Sequence, residues 1–550
     1  MTRPLAFAFT CCLSLWSVST VADELSGADK LRVVYSNQFA WTHDGLPLVT
    51  VRVAEGRSEV VIGASNPLGG VRVLPDGEGG AEVKSGTTWT VHVAGGRPSK
   101  IRWHLVVARL APGDEKLSSL LQTWRERSYQ PRTFELGTVF GVKGEVLDSR
   151  RLLVTVAPHD DEARARADAK TLAEQFHVEV GVHPELVERP RGTVEATDDK
   201  GTTVRNDGIL WFSPAPNGML ELKDVDKEGG GKESRRYFGK LYVTVDAKGT
   251  LAVVNAVPED KLLAGLVPAE MMSSSPAEAL KAQAVAARNE LLAKIGTRHL
   301  TDPYRLCATQ HCQVYAGAGR EDARSTAAVT ATRGELVVRD SGGLVDTVYS
   351  ASCGGHTEDN DRAWGGAPDP SLRGGLDGDA GTQKRLQKFA TIAEPEIAAW
   401  LKESIDAPSP RPYCARPREA KTNFRWSAHI DLAQVAQRAG VGAIDNIVVK
   451  ERGVSGRATR LEILGAGGTK EVRGELEIRR ALGGLKSALF VLEPKRGSDG
   501  KLAELSATGG GHGHGIGMCQ VGAVGMAEAG ASYLDILQHY YRAAHVKHVY

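Results

Sequence analysis

The sequence predicts a multidomain α+β protein, and three observations support that prediction. Its 550 residues far exceed the roughly 150 residues of a typical domain, which predicts three or four domains. Its 62 glycines and 24 prolines indicate many turns and therefore a substantial β content. Short strand-like runs fill residues 31–111, whereas the first clear helical pattern begins only near residue 160.

The first 22 residues have the composition of a secretory signal peptide. Arg3 provides the positive start, Leu5–Val18 is apolar but too short to cross a bilayer, and Thr20–Ala22 fits a cleavage site. An uncleaved N-terminal anchor is the alternative. We predict an exported protein of the periplasm or cell envelope, with no transmembrane segment after signal cleavage.

Three regions follow the signal peptide. Residues 23–135 alternate short apolar runs with turn residues, which predicts a β-rich accessory domain. Residues 136–236 contain a small strand–helix–strand unit, its helix near residues 160–176, and a polar stretch at 200–236 that we interpret as a loop or linker. Residues 237–550 form a third, α+β region, and the motifs described next all lie within it.

A helix with clear start and stop signals begins just after Ser275. Ser275 is a candidate N-cap, Pro276 fits the first helical position, and Glu278 would complete a capping box. Gly296 marks the end of the helix. The seam of this helix is mostly alanine, so we expect another element to approach it closely.

Glu270 follows a second, shorter helix that opens at Pro258 and should end at Pro268. Its carboxyl group would therefore occupy a turn between two helices, near Val267 and Met271. A carboxylic acid among apolar groups tends to a raised pKa, which is the state that a general acid needs. The alternative interpretation is a solvated turn residue without a chemical role.

The segment from Glu270 to Arg288 resembles the signature of the SpoIID/LytB family, which contains sporulation stage II protein D and the amidase enhancers. It has Glu-Met, a short gap, and then Glu-Ala-Leu-Lys-Ala-Gln-Ala-Val-Ala-Ala-Arg. In the lytic transglycosylases of that family the glutamate of the Glu-Met turn is the catalytic acid, which implies that role for Glu270. Within the same motif, Lys281, Gln283 and Arg288 are predicted to contact substrate.

Two cysteines and two histidines form a candidate metal site. Cys307, His311 and Cys312 lie within six residues, and His299 precedes them. Two cysteines and two histidines are a ligand set typical of tetrahedral zinc. A zinc ion closed off by four protein ligands would be structural. The spacing alone equally allows a Cys307–Cys312 disulfide in an oxidising compartment. The resemblance favours zinc, because a comparable cluster binds zinc in family members similar to this chain.

The run from Ser352 to Glu358 resembles a second family motif, Ser-Ser/Cys-Gly-Gly-x-Thr-Glu. The resemblance implies a wall of the substrate cleft, with Ser352, Thr357 and Glu358 bonding sugar hydroxyls. The alternative is a glycine turn with capping side chains. Cys353 and His356 are alternative metal ligands.

The glycine-rich run at residues 509–520 resembles a third family motif. His514 matches the family histidine and Gln520 the family glutamine, and both are predicted to contact substrate, whereas His512 occupies a position that is aromatic in the family. Alternating glycines let backbone amides approach a flat sugar ring. A zinc hydrolase built on His512, His514 and Cys519 is a weaker alternative, because a carboxylate at helical ligand spacing is missing.

The resemblance implies an exported peptidoglycan lytic transglycosylase, which would cleave between MurNAc and GlcNAc and leave a 1,6-anhydro product. Ordinary glycosidases need two carboxylates. A lytic transglycosylase needs one, because the 6-hydroxyl of the muramic acid attacks its own anomeric carbon. The rival interpretation is a non-catalytic glycan-binding amidase enhancer.

The expected partners follow from these two interpretations. They are peptidoglycan glycan strands and, for an enhancer, a cell-wall amidase. The 68 basic and 67 acidic residues are balanced, which argues against the basic face of a nucleic-acid-binding protein.

Overall fold

The computed structural model describes residues 34–35, 40–42, 44–66, 69–75, 83–84, 87–142, 145–226, 230–309, 311–312, 315–386, 394–402, 411–418 and 420–550. The predicted signal peptide lies outside these residues. Within them, no helix combines the length and the apolar character needed to span a membrane.

The strands of the described residues carry the labels β1 to β30 in chain order. They are β1 Ala40–Trp41, β2 Pro47–Arg57, β3 Glu59–Ala64, β4 Val71–Leu74, β5 Val83–Lys84, β6 Thr88–Arg97, β7 Lys100–Leu110, β8 Arg132–Leu136, β9 Val139–Val142, β10 Glu145–Asp148, β11 Arg151–His159, β12 Gly181–Glu188, β13 Arg191–Asp198, β14 Thr203–Asp207, β15 Ile209–Pro214, β16 Leu220–Asp226, β17 Lys232–Tyr237, β18 Lys240–Val245, β19 Leu251–Pro258, β20 Leu306–Cys307, β21 Glu335–Arg339, β22 Tyr349–Ser350, β23 Arg425–His429, β24 Ile444–Arg452, β25 Ala458–Gly465, β26 Gly468–Arg473, β27 Phe490–Arg496, β28 Leu502–Gly510, β29 Met518–Cys519 and β30 Ala544–His548.

The α-helices of the described residues carry the labels α1 to α13. They are α1 Lys116–Glu126, α2 Glu162–Phe176, α3 Glu259–Glu270, α4 Ala277–Lys294, α5 Ala323–Ala331, α6 Asn360–Trp364, α7 Ala380–Leu386, α8 Glu394–Leu401, α9 Ala420–Asn423, α10 Leu432–Ala439, α11 Glu475–Ala481, α12 Gln520–Glu528 and α13 Tyr533–Tyr540. The multidomain α+β class predicted from the sequence is confirmed.

Two sheets pack against each other in the N-terminal half. One has the order β1-β2-β19-β18-β15-β4-β5, with β20 added beside β2, and the other has the order β14-β13-β6-β3-β16-β17. Inward side chains of both sheets, among them Val51, Phe212, Trp89 and Val194, belong to one buried hydrophobic cluster. The cluster continues into α3 and α4, so the sandwich supports both helices.

The polar stretch at residues 200–236 is not a linker. It contains β14 to β17, because its apolar residues alternate with polar ones: Leu220 and Leu222 are buried, whereas Glu221 lies between them on the outer face. The boundary predicted at residue 237 also falls inside the sandwich, since β19 pairs with β2 and β18 pairs with β15.

The small α/β unit consists of β7, α1, β8, β11, α2 and β12. Its four antiparallel strands have the order β12-β7-β11-β8, which is a split β-α-β arrangement. The unit begins at Lys100, so the boundary predicted at residue 135 divides it. The predicted helix is present, and the side chain of Asp161 caps it by accepting from the Arg164 amide.

Helix α3 begins directly after β19 and runs through Pro268 to Glu270. The prediction that Pro268 ends this helix is therefore wrong. A proline lacks the amide that would bond the carbonyl one turn back, but the helix recovers, since the Met271 amide donates to the Val267 carbonyl at 2.9 Å.

Helix α4 begins at Ala277 with Pro276 at the N-cap, and the predicted capping box does not form. The carboxylate of Glu278 instead accepts from Lys281 Nζ at 2.7 Å and from the Tyr533 amide at 2.8 Å. The alanine seam is approached by other helices, as predicted, because Ala284 and Ala287 share one buried cluster with Leu263 of α3 and Val329 of α5.

The second and third motif regions meet in the C-terminal part of the chain. Strand β22 pairs in parallel with β29, so that Tyr349 lies opposite Met518 and Ser350 opposite Cys519. Between these strands in sequence lie two three-stranded sheets, β23-β28-β27 and β24-β25-β26. Helix α13 starts with a capping box formed by Ser532 and Asp535.

Candidate active site and metal centre

Glu270 is the last residue of α3 and is half-buried. Burial raises the pKa of its carboxyl group to about 7, and the negative charge of Glu290 acts in the same direction. A hydrogen bond from Gln520 and the positive charge of Lys294 oppose this shift. Near neutral pH the carboxyl group therefore exchanges between its acid and its conjugate base, as acid–base catalysis requires.

One face of α4 lies towards Glu270. Gln283, Glu290 and Lys294 are spaced seven and four residues apart, which places them on one side of a helix. Lys294 pairs with Glu290 and also donates to the Cys312 carbonyl at 2.8 Å. Sequence reasoning missed Glu290 and Lys294, although the Glu–Lys spacing of four residues is a recognisable ion-pair signal.

Gln520 connects the glycine-rich run to this face. Its Nε2 donates to the main-chain carbonyl of Glu270 at 3.0 Å and to Gln283 Oε1 at 3.2 Å. Gln283 is fully buried, and its own Nε2 finds no acceptor among the residues that the structure describes. A buried donor without a partner is costly, but Gln283 has no exposed surface with which to contact a ligand.

Arg288, which the motif suggested as a substrate contact, is buried in the protein core. Its guanidinium pairs with Glu259 at 3.1 Å and donates to the carbonyls of Thr332 and Val329. Both charged side chains are 1% exposed, and the Tyr550 hydroxyl donates to the same carboxylate at 3.0 Å. Arg288 therefore has no surface with which to contact a ligand.

Lys281 lies on a different face of α4 from Gln283, because two helical residues span about 200° of rotation. Its ammonium group pairs with Glu278 and lies 5.5 Å from the ring centroid of Tyr533. The structure thus brings Gln283 and Gln520 to Glu270 but gives Lys281 a contact with α13.

The side chains of the second motif are turned into the protein. Glu358 is fully buried, and its carboxylate accepts from the amides of Val454 and Ser455 and from the Ser455 hydroxyl. Thr357 exchanges hydrogen bonds with Gly375, and Ser352 Oγ accepts from the Gly354 amide. These three side chains are positioned to hold the loop rather than to reach a sugar.

His514 lies in the glycine-rich run beside an exposed aromatic side chain. Burial lowers the pKa of His514 to about 3, so the ring is neutral, and its Nδ1 accepts from the Ile516 amide at 3.0 Å. The indole of Trp364 is 5.0 Å from this ring, and Trp364 is 48% exposed. Sequence reasoning missed Trp364, which places an aromatic surface here although His512 occupies the family's aromatic position.

The four residues of the predicted metal site converge. The ligand atoms of His299, Cys307, His311 and Cys312 all lie within 4.8 Å of one another. Cys312 Sγ is 3.3 Å from His299 Nε2, and the two sulfur atoms are 3.2 Å apart and not bonded as a disulfide. This arrangement is a candidate metal-binding cluster, called the metal-binding cluster below, and strand β20 and the loop after α4 each supply candidate ligands.

The surroundings of this cluster fit a tetrahedral metal. Asp302 Oδ2 lies 2.9 Å from His299 Nδ1, which leaves Nε2 available to a metal. The carboxylate also fixes the orientation of the imidazole ring, as in carboxylate–histidine–metal arrangements. His311 Nδ1 lies 3.6 Å from each cysteine sulfur. Two thiolates and two imidazoles at these separations suit zinc, and the four positions leave no open site for catalysis.

Comparison with protein families places these elements in a known group. A family model described as Stage II sporulation protein matches residues 247–338, which contain α3, α4 and the metal-binding cluster. A second model, described as a domain of unknown function, matches residues 358–517.

Three curated relatives are similar to this chain. An uncharacterised protein of Brachyspira hyodysenteriae is 30% identical over 312 residues, 56% of this chain and 72% of the relative. The amidase enhancer of Bacillus subtilis is 26% identical over 61% of this chain and 49% of its own length. Stage II sporulation protein D of Bacillus amyloliquefaciens is 25% identical over 53% of this chain and 75% of its own length. The chain belongs to the SpoIID/LytB family, and it spans about half the length of the amidase enhancer.

Proposed function

We propose that this protein is an exported peptidoglycan lytic transglycosylase with Glu270 as its catalytic acid. The observation that supports this most strongly is the half-buried Glu270 carboxyl group, whose pKa burial raises to about 7. A group with that pKa can both give and take a proton near neutral pH. Membership of a family with Stage II sporulation protein D and the amidase enhancer supports a role at the cell wall.

In the proposed reaction, protonated Glu270 gives its proton to the glycosidic oxygen between MurNAc and GlcNAc as that bond breaks. The Glu270 carboxylate then accepts the proton of the muramic acid 6-hydroxyl. The oxygen of that hydroxyl bonds to the anomeric carbon at the same time. The proton count is balanced, and the product is a 1,6-anhydro sugar. The exposed Trp364 is the side chain that we expect to hold the glycan.

Glu290 does not offer a second catalytic carboxylate of the kind that hydrolysis requires. Its side chain is largely buried, it pairs with Lys294, and it hydrogen-bonds the hydroxyl of Tyr349. A carboxylate held by two partners is poorly placed to activate a water or to attack a sugar. This arrangement favours the intramolecular attack of a transglycosylase over hydrolysis.

We assign the metal-binding cluster a structural zinc ion held by His299, Cys307, His311 and Cys312. Zinc would supply a fixed anchor there and no catalytic step, because four protein ligands close its coordination. Through the Lys294 hydrogen bond to the Cys312 carbonyl, the loop is tied to the face of α4 that lies near Glu270.

The second candidate function is that of an amidase enhancer, which the 26% identity to the protein of that name favours. In this case the chain would bind glycan strands and stimulate a cell-wall amidase without cleaving glycan itself. The same cleft would then serve for binding, and the carboxyl group of Glu270 would be dispensable.

The deciding experiment is mass spectrometry of the muropeptides released from purified peptidoglycan. The wild type should release 1,6-anhydro products, and Glu270→Gln should release them at least about a hundredfold more slowly, the usual scale of acid–base catalysis. Glu321→Gln is the matched control, because it makes the same chemical change at an exposed position.

Two results would contradict the lytic proposal. Glu270→Gln could cleave as fast as the wild type, which would remove Glu270 from the reaction. The second result is that neither the wild type nor Glu270→Gln cleaves glycan, while both bind it and stimulate an amidase. In that case the enhancer function replaces the transglycosylase.

A further inference from the structure

A second cluster of metal-ligand side chains lies far along the chain from the first. Cys353, Asp377, Cys414 and Cys519 come from four separate segments, and their ligand atoms all lie within 4.8 Å of one another. All four side chains are fully buried. None of the three cysteines is bonded to another.

The individual distances describe a compact donor set. Cys353 Sγ is 3.6 Å from Cys414 Sγ and 3.3 Å from Asp377 Oδ2. These are separations that donor atoms of one small ion can adopt, whereas an iron–sulfur cluster would hold its cysteine sulfurs further apart, on opposite sides of an inorganic core. Thiolate sulfur together with a carboxylate oxygen is a donor set that zinc accepts.

The carboxylate of Asp377 is oriented by neighbours on both oxygens. Its Oδ1 accepts from the Tyr540 hydroxyl at 2.8 Å and has His539 Nε2 at 3.7 Å, while its Oδ2 accepts from the Cys414 amide at 3.0 Å. Metal-ligating carboxylates are held in this way by outer hydrogen bonds. A fully buried carboxylate needs such partners, because burying it without them would be costly.

The sulfur of Cys519 is surrounded by backbone amides. Cys519 is the N-cap of α12, and its Sγ accepts from the Gly522 amide at 3.3 Å and from the Cys353 amide at 3.1 Å. Helix N-termini and amide donors stabilise a thiolate, which is the form that binds metal. A Cβ at Gly522 would lie 2.1 Å from the Tyr540 hydroxyl, so only glycine lets the helix approach this closely.

We propose that Cys353, Asp377, Cys414 and Cys519 bind a second structural zinc ion. Four protein ligands in a fully buried position leave no place for substrate or water, so the ion would act as a cross-link. It would fasten the second motif, through Cys353, to the glycine-rich run, through Cys519. Because Gln520 follows Cys519 directly and contacts Glu270, the cross-link would also hold one wall of the candidate active site.

The rival state of this cluster is a disulfide between two of the three cysteines. It would use two of the four converging donors and leave one thiol and Asp377 outside the bond, whereas a metal would engage all four, so the geometry favours the metal. Whether the cluster holds a metal or a disulfide in an oxidising compartment can be measured directly.

Elemental analysis of the full-length protein, purified without chelator, tests the proposal. The wild type should hold about two zinc ions, one for each four-ligand site. Cys414→Ser should hold about one, and His299→Ala/His311→Ala, which disables only the first site, should also hold about one. A single wild-type ion that is lost from His299→Ala/His311→Ala, or an unchanged content in Cys414→Ser, would overturn the proposal.

Two further measurements keep the test decisive. If Cys414→Ser does not fold, the comparison of the wild type with His299→Ala/His311→Ala decides: two ions against one support the proposal, and one against none refute it. Mass spectrometry of the unreduced protein should find free thiols at Cys353, Cys414 and Cys519 after chelation. A disulfide among them in the freshly purified protein would refute it.

Discussion

The side-chain amide of Gln520 donates to the main-chain carbonyl of Glu270 at 3.0 Å, although the two residues lie 250 positions apart. That carbonyl ends α3, where a helix has no internal donors left to offer. The hydrogen bond therefore fixes the end of α3 against the start of α12. The position of the proposed catalytic acid thus depends on the glycine-rich run as well as on its own helix.

Gln520→Ala should reduce glycan cleavage by roughly 10- to 100-fold, since displacing a reacting group by about 1 Å can cost that much. The carboxyl group of Glu270 is unchanged in this variant. The experiment therefore tests the position of the acid and not its chemical identity. Rates of 1,6-anhydro product release measure the effect. Gln538→Ala, an exposed glutamine on α13, is the control, and equal rates in both variants would contradict the positioning role.

The rate of cleavage should fall as the pH rises through about 7, the pKa of Glu270, because the protonated acid is the active form at the first step. Glu290→Gln removes a negative charge that raises this pKa and frees Lys294, which lowers it. The alkaline limb of the pH–rate profile should therefore move to lower pH in Glu290→Gln. A limb that stays in place or moves upward would show that Glu290 does not act on Glu270.

Arg288→Ala should destabilise the fold by about 3–5 kcal/mol, because it leaves the fully buried Glu259 without its cation. Lys281→Ala on the same helix removes a partly exposed ion pair and should cost about 1 kcal/mol or less. Denaturant unfolding measures both. If Arg288→Ala kept its stability but lost glycan binding, the substrate role suggested by the motif would be restored.

Trp364→Ala should weaken glycan binding with little change in stability, because the indole is 48% exposed and its ring lies 5.0 Å from that of His514. We expect KM to rise several-fold while kcat changes little, since binding and not proton transfer is removed. Leu534→Ala, another exposed large side chain, is the control. A fall in kcat at unchanged KM would contradict a purely binding role.

Local patterns predicted much of the fold. The strands β2, β3, β4, β6 and β7, the helix near residues 160–176 and the alanine seam of α4 were all readable from alternation, helical spacing and side-chain size. These features depend on near neighbours in sequence. The error at residues 200–236 arose because charged outward-facing residues concealed the buried Leu220 and Leu222, whose partners lie in a distant sheet.

The functional role of a residue was predictable where it follows from the type of side chain, and it was not predictable where it depends on burial in the fold. The four candidate metal ligands were named from their side chains and the family resemblance, and the structure brings their ligand atoms within 4.8 Å of one another. The ion pair of Arg288 with Glu259 could not be predicted, and neither could the hydrogen bonds from the amides of residues 454 and 455 to Glu358. Both follow from contacts between distant segments. Glu290 escaped notice for the same reason, because its effect on Glu270 requires α3 and α4 to be packed together.

The pairing of β2 with β19 has a consequence for how the chain folds. Arg57 lies opposite Leu251, and the small α/β unit is inserted between these two strands in sequence. Closing such a long loop is entropically slow, so the inserted unit should become compact first and the sandwich should close only after residue 258 is available. Helix α3 begins at that point, and the proposed catalytic acid should therefore be among the late-forming parts of the molecule.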